Sequence, residues 1–237
     1  MNSVLASACA YYAYLYERGE VVSNPFLVVD RLATGTVLPK NIPNEDDLGK
    51  LLDRLADFLR PGESLRMSKR RYRSYVVAEF LYGTGMRISE ASGVQLCDLD
   101  CETRTVKIRD VKTKKERYGV FSEYTAAVVG KWLSLRELVL KNPGSPLLFG
   151  SSANLRVTVN EDLKTVCREL GQDPVTCHSF RHAYAYHLLK AGCDIRKIQG
   201  LLGHAKLSST QVYAKVDTES LKAVLDRYHP RKSRNHV

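Results

Sequence analysis

The sequence predicts an α+β fold, mainly helical, with a small antiparallel β-hairpin. Three observations carry this expectation. Apolar residues recur at helical spacing along most of the chain, and Gly, Pro and Asn punctuate the runs. One stretch, residues 105–121, alternates as strands do: Val106 and Ile108 share a face, then Tyr118 and Val120 follow the polar turn KTKKER. A chain of 237 residues is also long enough to bury a real core, as one large domain or two small ones.

Taken in order, residues 1–20 read as a helix with a tyrosine-rich face (Tyr11, Tyr12, Tyr14, Tyr16) ending near Gly19. Residues 21–43 hold several Pro and Gly and no long period, which reads as a linker. Asn44 is a helix cap, followed by the early acids Glu45, Asp46 and Asp47 and by leucines at 48, 51, 52, 55 and 59, stopped by Pro61-Gly62. The next run pairs an apolar face (Tyr72, Val76, Phe80) with the basic residues Arg66, Lys69, Arg70, Arg71 and Arg73. Such a cluster is either a solvated charged face or, beside a phosphate-handling site, a contact for the DNA backbone. Glycines then end that helix, and Ser89 is placed to cap the next, holding Arg87 in a tight turn between them. Residues 123–141 and 157–171 read as scaffold helices joined by NPGSPLLFG, with Trp132 and Phe149 in the core. DTESLKAVLDRYHP forms a short amphipathic helix stopped at Pro230, and a basic tail follows.

Lys and Arg total 36 against 26 acidic residues, a net charge of +10 with a pI near 9.3. That excess favours a polyanionic partner, nucleic acid before membrane. No apolar run approaches the roughly 20 residues that a spanning helix needs. The N-terminus lacks the positively charged start of a signal peptide, so a cytoplasmic location is expected. Cys9, Cys97, Cys101, Cys167, Cys177 and Cys193 form no CxxC pair, and reduced, mostly buried thiols are expected.

Residues 176–216 bring phosphate chemistry together. His178 and Arg181 are three apart at the start of an apolar-periodic run, so they share a helix face near an N-terminus that itself favours anions. His204 follows a glycine that ends a helix, and Tyr213 comes nine residues later. His178 and His182 also have the i, i+4 spacing of zinc-binding helices, with His187 nearby. The run has no HExxH glutamate, however, and Arg181 on the same face would repel a dication, so no metal is assigned. Tyr184 and Tyr186 are read as structural.

These residues resemble the tyrosine recombinases, the family of phage integrases and bacterial Xer proteins. The likeness rests on His178-Ser-Phe-Arg181, LLGH ending at His204, Tyr213, and GTGMRISE with Arg87 at the arginine of TGxRxSE. HLLKAG, DIRKIQGLLGH and STQVYAKV match the Xer type closely. By resemblance, a hairpin lysine is catalytic; alignment on KKER selects Lys112, with Lys114 and Lys115 as rivals for that role or as DNA contacts. Glu90 corresponds to an acidic residue that orients its neighbours. The implied activity is site-specific strand cleavage and rejoining through a 3′-phosphotyrosine made by Tyr213, needing no metal, cofactor or ATP.

The resemblance also divides the chain: 1–43, the last helix of a core-binding domain plus linker; 44–216, the catalytic domain; 217–237, a C-terminal helix and tail packing on a neighbouring protomer. Double-stranded DNA, a homotetrameric synapse, and a partner recombinase or accessory protein are the implied associations. Most of a core-binding domain is missing, and both a truncated and a naturally short chain are open. Two other readings stand beside it: a type IB topoisomerase-like nicking-closing enzyme, and a DNA-binding or regulatory fragment unable to recombine.

Overall fold

The structure, a computed structural model, describes residues 2–25, 42–58, 60–109, 116–150, 153–202 and 218–231. It divides into two compact units, Met1–Lys40 and Asn41–Val237. In the first, helix α1 spans Asn2–Glu17, and Gly19 follows with a φ of 72°. Its Tyr11, Tyr14 and Tyr16 are exposed, and the Asn24 amide donates to the Cys9 carbonyl at 2.9 Å.

The second unit is built around one helix. Helix α2 (Glu45–Ala56) starts where expected: the Asn44 side chain accepts from the Asp47 N–H, and three acids occupy the first turn, where the helix dipole favours them. It buries Leu48, Leu51, Leu52 and Leu55. Helix α3 (Leu65–Thr84) is capped by Ser64 and packs against α2, α5 (Glu123–Val139), α6 (Leu155–Leu170) and α7 (Cys177–Lys190). Residues 74–84 of α3 are buried without interruption, as befits a helix surrounded by others. Gly83 is needed for the approach to α5, because a Cβ there would collide with Thr125. Trp132 and Phe149 lie in this core, with the indole N–H donating to the Leu148 carbonyl at 2.9 Å.

The hairpin is β2 (Thr105–Arg109) with β3 (Glu116–Val120), antiparallel, Ile108 opposite Arg117. A third strand, β1 (Leu99–Asp100), lies on the other side of β2 in the order β1-β2-β3. Two residues are too short a run for alternation to announce. Val106, Ile108 and Val120 are buried, whereas Tyr118 is exposed.

Other expectations are corrected. Arg87, not Ser89, is the N-cap of the one-turn helix α4 (Ile88–Ala91), and Glu90 closes the cap by accepting the Arg87 N–H at 2.8 Å. Three of the six thiols are buried, Cys167, Cys177 and Cys193, while Cys97 is exposed. Arg71, expected to meet DNA, is buried and bound to Glu63 and the Asp57 carbonyl; Arg70 bridges Glu161 and Asp162. A charge run on a helix reads as one face, but 100° per residue spreads its members around the axis. Of that cluster, Arg66 and Arg70 are exposed and Lys69 and Arg73 half-buried.

Helix α8 (Ile195–Leu202) leans on α7, and α9 (Thr218–Tyr228) touches α8 and β3. In this single chain the C-terminal segment sits on its own helices. Leu225 is buried, and Asp226 takes both guanidinium nitrogens of Arg104 at 2.6 and 2.8 Å. His229 is buried with Nε2 3.1 Å from the Tyr82 carbonyl. Arg231 reaches Glu79 at 2.7 Å and stacks on Tyr124 at 5.0 Å.

Candidate active site

The turn between α3 and α4 sets the site. Gly85 closes α3 in the left-handed region, with a φ of 64°, and its N–H caps the Leu81 carbonyl. Only glycine suits it: a Cβ would come 2.7 Å from the Tyr184 ring. The chain then returns to extended backbone at Arg87, whose side chain is 51% exposed. Its Nη1 lies 3.3 Å from Glu90 Oε1.

Arg181 arrives from α7. It is buried, and its two terminal nitrogens donate to the carbonyls of Gly85 at 2.5 Å and Leu202 at 2.9 Å. Those carbonyls close α3 and end α8, where helix dipoles turn their negative ends toward a cation. Burial, then the charge of Arg87, lowers the Arg181 guanidinium to about 10, still well above neutrality. The two bonds use two of the five N–H groups of an arginine. Arg87 and Arg181, ninety-four positions apart in sequence, thus meet at one turn through Gly85.

His178 is exposed on the first turn of α7, and its ring meets that of His182 edge to face with centroids 4.4 Å apart. Burial, His178 and Arg181 together lower the His182 pKa. His187 belongs elsewhere. It is buried, accepts from Tyr82 Oη at Nδ1 (2.7 Å) and donates from Nε2 to the Pro43 carbonyl (3.1 Å). Tyr184 is fully buried and Tyr186 exposed. Among the described residues no group of three or more His, Cys, Asp or Glu is placed to hold a metal ion. No helix among them is long and apolar enough to cross a membrane.

Lys112, Lys114, Lys115, His204 and Tyr213 lie outside the described residues. Strand β3 contributes a residue that sequence reasoning missed. Arg117 Nη2 stands 3.3 Å from both Glu90 oxygens, so Glu90 joins it to Arg87. The signal was present in KKER, used only to align the lysine; nothing local says that this arginine faces the site and not solvent. Three guanidinium groups therefore gather around one carboxylate, and the surplus of positive charge suits a bound anion.

Comparison with known proteins agrees with this geometry. The phage integrase family model matches residues 45–220. Tyrosine recombinase XerC of Mannheimia succiniciproducens is 32% identical over 234 residues, covering 97% of this chain and 75% of its own. The crystal structure of XerA recombinase superposes with a TM-score of 0.55 at 24% identity, over 96% of this chain and 76% of that one. XerH site-specific recombinase, solved bound to its difH substrate, gives a TM-score of 0.56 at 25% identity, over 80% of this chain and 54% of its own. The extent of the family match and the XerC identity, with GTGMRISE and His178-Ser-Phe-Arg181 at the two arginines that share the turn, mean that the chain belongs to the phage integrase family of tyrosine recombinases.

Proposed function

We propose that the chain cleaves and rejoins double-stranded DNA at specific sites, with Arg87 and Arg181 holding the scissile phosphate and Tyr213 as nucleophile. The observation that carries this reading is the Arg181 anchor on Gly85, which sets a second guanidinium beside the turn of Arg87. A phosphodiester resists attack because its oxygens repel the nucleophile and its alkoxide leaves poorly. Two arginines neutralise the non-bridging oxygens as charge builds in the pentacoordinate transition state, often the largest single contribution to such a rate.

The tyrosine oxygen forms a bond to phosphorus and the bond to the 5′ oxygen breaks. His178 takes the phenolic proton, Lys112 gives one to the departing 5′ oxygen, and each role contributes roughly a hundredfold or more. Lys114 and Lys115 are the rivals for that proton. His204 donates to the phosphate. The 3′-phosphotyrosine conserves the bond energy, so a 5′-hydroxyl from another strand reverses the step without ATP. Four protomers on two sites would then exchange strands, with α9 and the basic tail trading their contacts on their own chain for equivalent ones on a neighbour in a head-to-tail arrangement. A partner recombinase or accessory protein fits the same assembly. Residues 1–43 act as the end of a core-binding domain, 44–216 as the catalytic domain, and the protein works in the cytoplasm. Salt-sensitive hold on DNA comes from the net charge, with exposed Arg66, half-buried Lys69 and Arg73, the hairpin lysines Lys114 and Lys115, and the basic tail as the contacts. The topoisomerase-like reading is not favoured, since the relatives are recombinases.

The test is a nicked suicide duplex carrying candidate sites, incubated without metal and run on a denaturing gel. A covalent protein–DNA adduct that disappears in Tyr213→Phe supports the reading. Salt-sensitive binding with no adduct on any duplex would favour a DNA-binding fragment instead.

A further inference from the structure

We propose that Arg117 is a positioning residue for strand cleavage: it holds the Glu90 carboxylate off Arg87, so that the Arg87 guanidinium stays open to the phosphate. The inference rests on reading Arg87 as a phosphate ligand.

The Glu90 side chain is only 10% exposed, so its charge must be met by protein. It receives the Arg87 N–H at 2.8 Å, Arg87 Nη1 at 3.3 Å through Oε1 alone, and Arg117 Nη2 at 3.3 Å through both oxygens. An arginine and a carboxylate left to themselves close into a two-bond fork with short, parallel contacts. Arg87 does not: its grip is single and long, and half its side chain remains in solvent. The share it lacks goes to Arg117, which is held in β3 opposite the buried Ile108.

Without Arg117, Arg87 is the one guanidinium hydrogen-bonded to the carboxylate among the described residues, since nearby Arg181 spends its terminal nitrogens on the Gly85 and Leu202 carbonyls. The carboxylate would then close on the donors that a phosphate needs. Arg117 therefore works by competition, and removing the competitor should inhibit only while Glu90 is charged. A part that merely stiffens the fold has no such dependence.

The experiment is single-turnover cleavage of the suicide duplex, with duplex affinity and thermal melting measured on the same proteins. Arg117→Ala should slow cleavage by about tenfold to a hundredfold, the scale of one charged hydrogen bond. Arg117→Ala with Glu90→Gln should recover most of that loss, because a neutral amide still accepts the Arg87 N–H but does not capture its guanidinium. Arg117→Lys should fall between wild type and Arg117→Ala. If the double variant is as slow as Arg117→Ala or slower, or if Arg117→Ala matches wild type, the inference is overturned. Should Arg117→Ala fail to fold, Arg117→Gln takes its place under the same requirement. Arg87→Ala and Tyr213→Phe separate this from the underlying reading: if either cleaves like wild type, that reading falls first. If both are inactive, failure of the suppression counts against Arg117 alone.

Discussion

Glu79 and Glu90 lie eleven residues apart and both bind arginine, yet their surroundings are opposite. Glu79 is 1% exposed, and Arg231 meets it at 2.7 Å with Tyr124 and Tyr75 around the pair. Arg231 also reaches the exposed Asp53 at 3.2 Å, so the one cation there is matched by two carboxylates. Glu90 instead faces Arg87, Arg117 and the nearby Arg181, and half the Arg87 side chain is open. Both clusters are built on a glutamate and arginine, so that pairing alone does not distinguish them. Charge and access do: a buried glutamate whose arginine is shared with Asp53 holds the C-terminal segment in place, while an open cluster with spare cations suits an anion that arrives later.

The comparison breaks most sharply at Arg181. Arg181→Ala should lower single-turnover cleavage by about a hundredfold to a thousandfold, the range for losing a donor to a developing anion. It should also lower stability, because the Gly85 and Leu202 carbonyls lose their donor. At the other cluster the order of effects reverses. Arg231→Ala should cost about 3 kcal/mol of stability at pH 8, where the buried Glu79 loses its partner and must either stay ionised or take up a proton. Urea midpoints measure it.

Acidity sharpens the contrast. Burial pushes the Glu79 carboxyl up to about 7 against the pull of Arg231, from the ordinary 4.5. A raised folded pKa means that the contribution of Glu79 to stability is complete below pH 4.5 and is lost as pH rises to 7. His229 runs the other way: burial lowers it from 6.5 to about 4, so its contribution is present above 6.5 and fades toward 4. Between these limits the two slopes oppose. Glu79→Gln should therefore show stability rising more steeply from pH 4.5 to 6.5 than wild type, read as urea midpoints across that range.

The smallest effects belong to the basic run of α3. Arg66→Ala or Lys69→Ala should lower the salt slope of duplex binding by about 0.9 for each phosphate that the variant no longer neutralises. Arg71→Ala should leave the slope unchanged and reduce stability, since that guanidinium is buried against Glu63.

This division also shows what the sequence could reveal. Local rules fixed α2 from Asn44 and its leucines, the hairpin from its alternation, and the core positions of Trp132 and Phe149. The GTGMRISE and HSFR signatures singled out Arg87 and Arg181, and the structure brings the two to one turn. Pairings between distant segments were not legible. Nothing near Arg71 says that Glu63 will claim it, and nothing near Arg117 says that Glu90 will. The same holds for Arg231, whose partner lies on α3. A tail with basic residues reads as exposed until the fold supplies a buried carboxylate for one of them.

The central claim is that the positive charge around Arg87 and Arg181 exists to neutralise a phosphodiester. The direct measurement replaces the scissile phosphate with a methylphosphonate, which removes its negative charge, and compares cleavage by wild type, Arg87→Ala and Arg181→Ala. If the claim holds, the arginine variants fail on the phosphodiester and regain cleavage on the neutral linkage, with Tyr213→Phe inactive on both. Arginine variants equally impaired on both substrates would contradict it, placing the role of these arginines in the fold and not in the charge of the transition state.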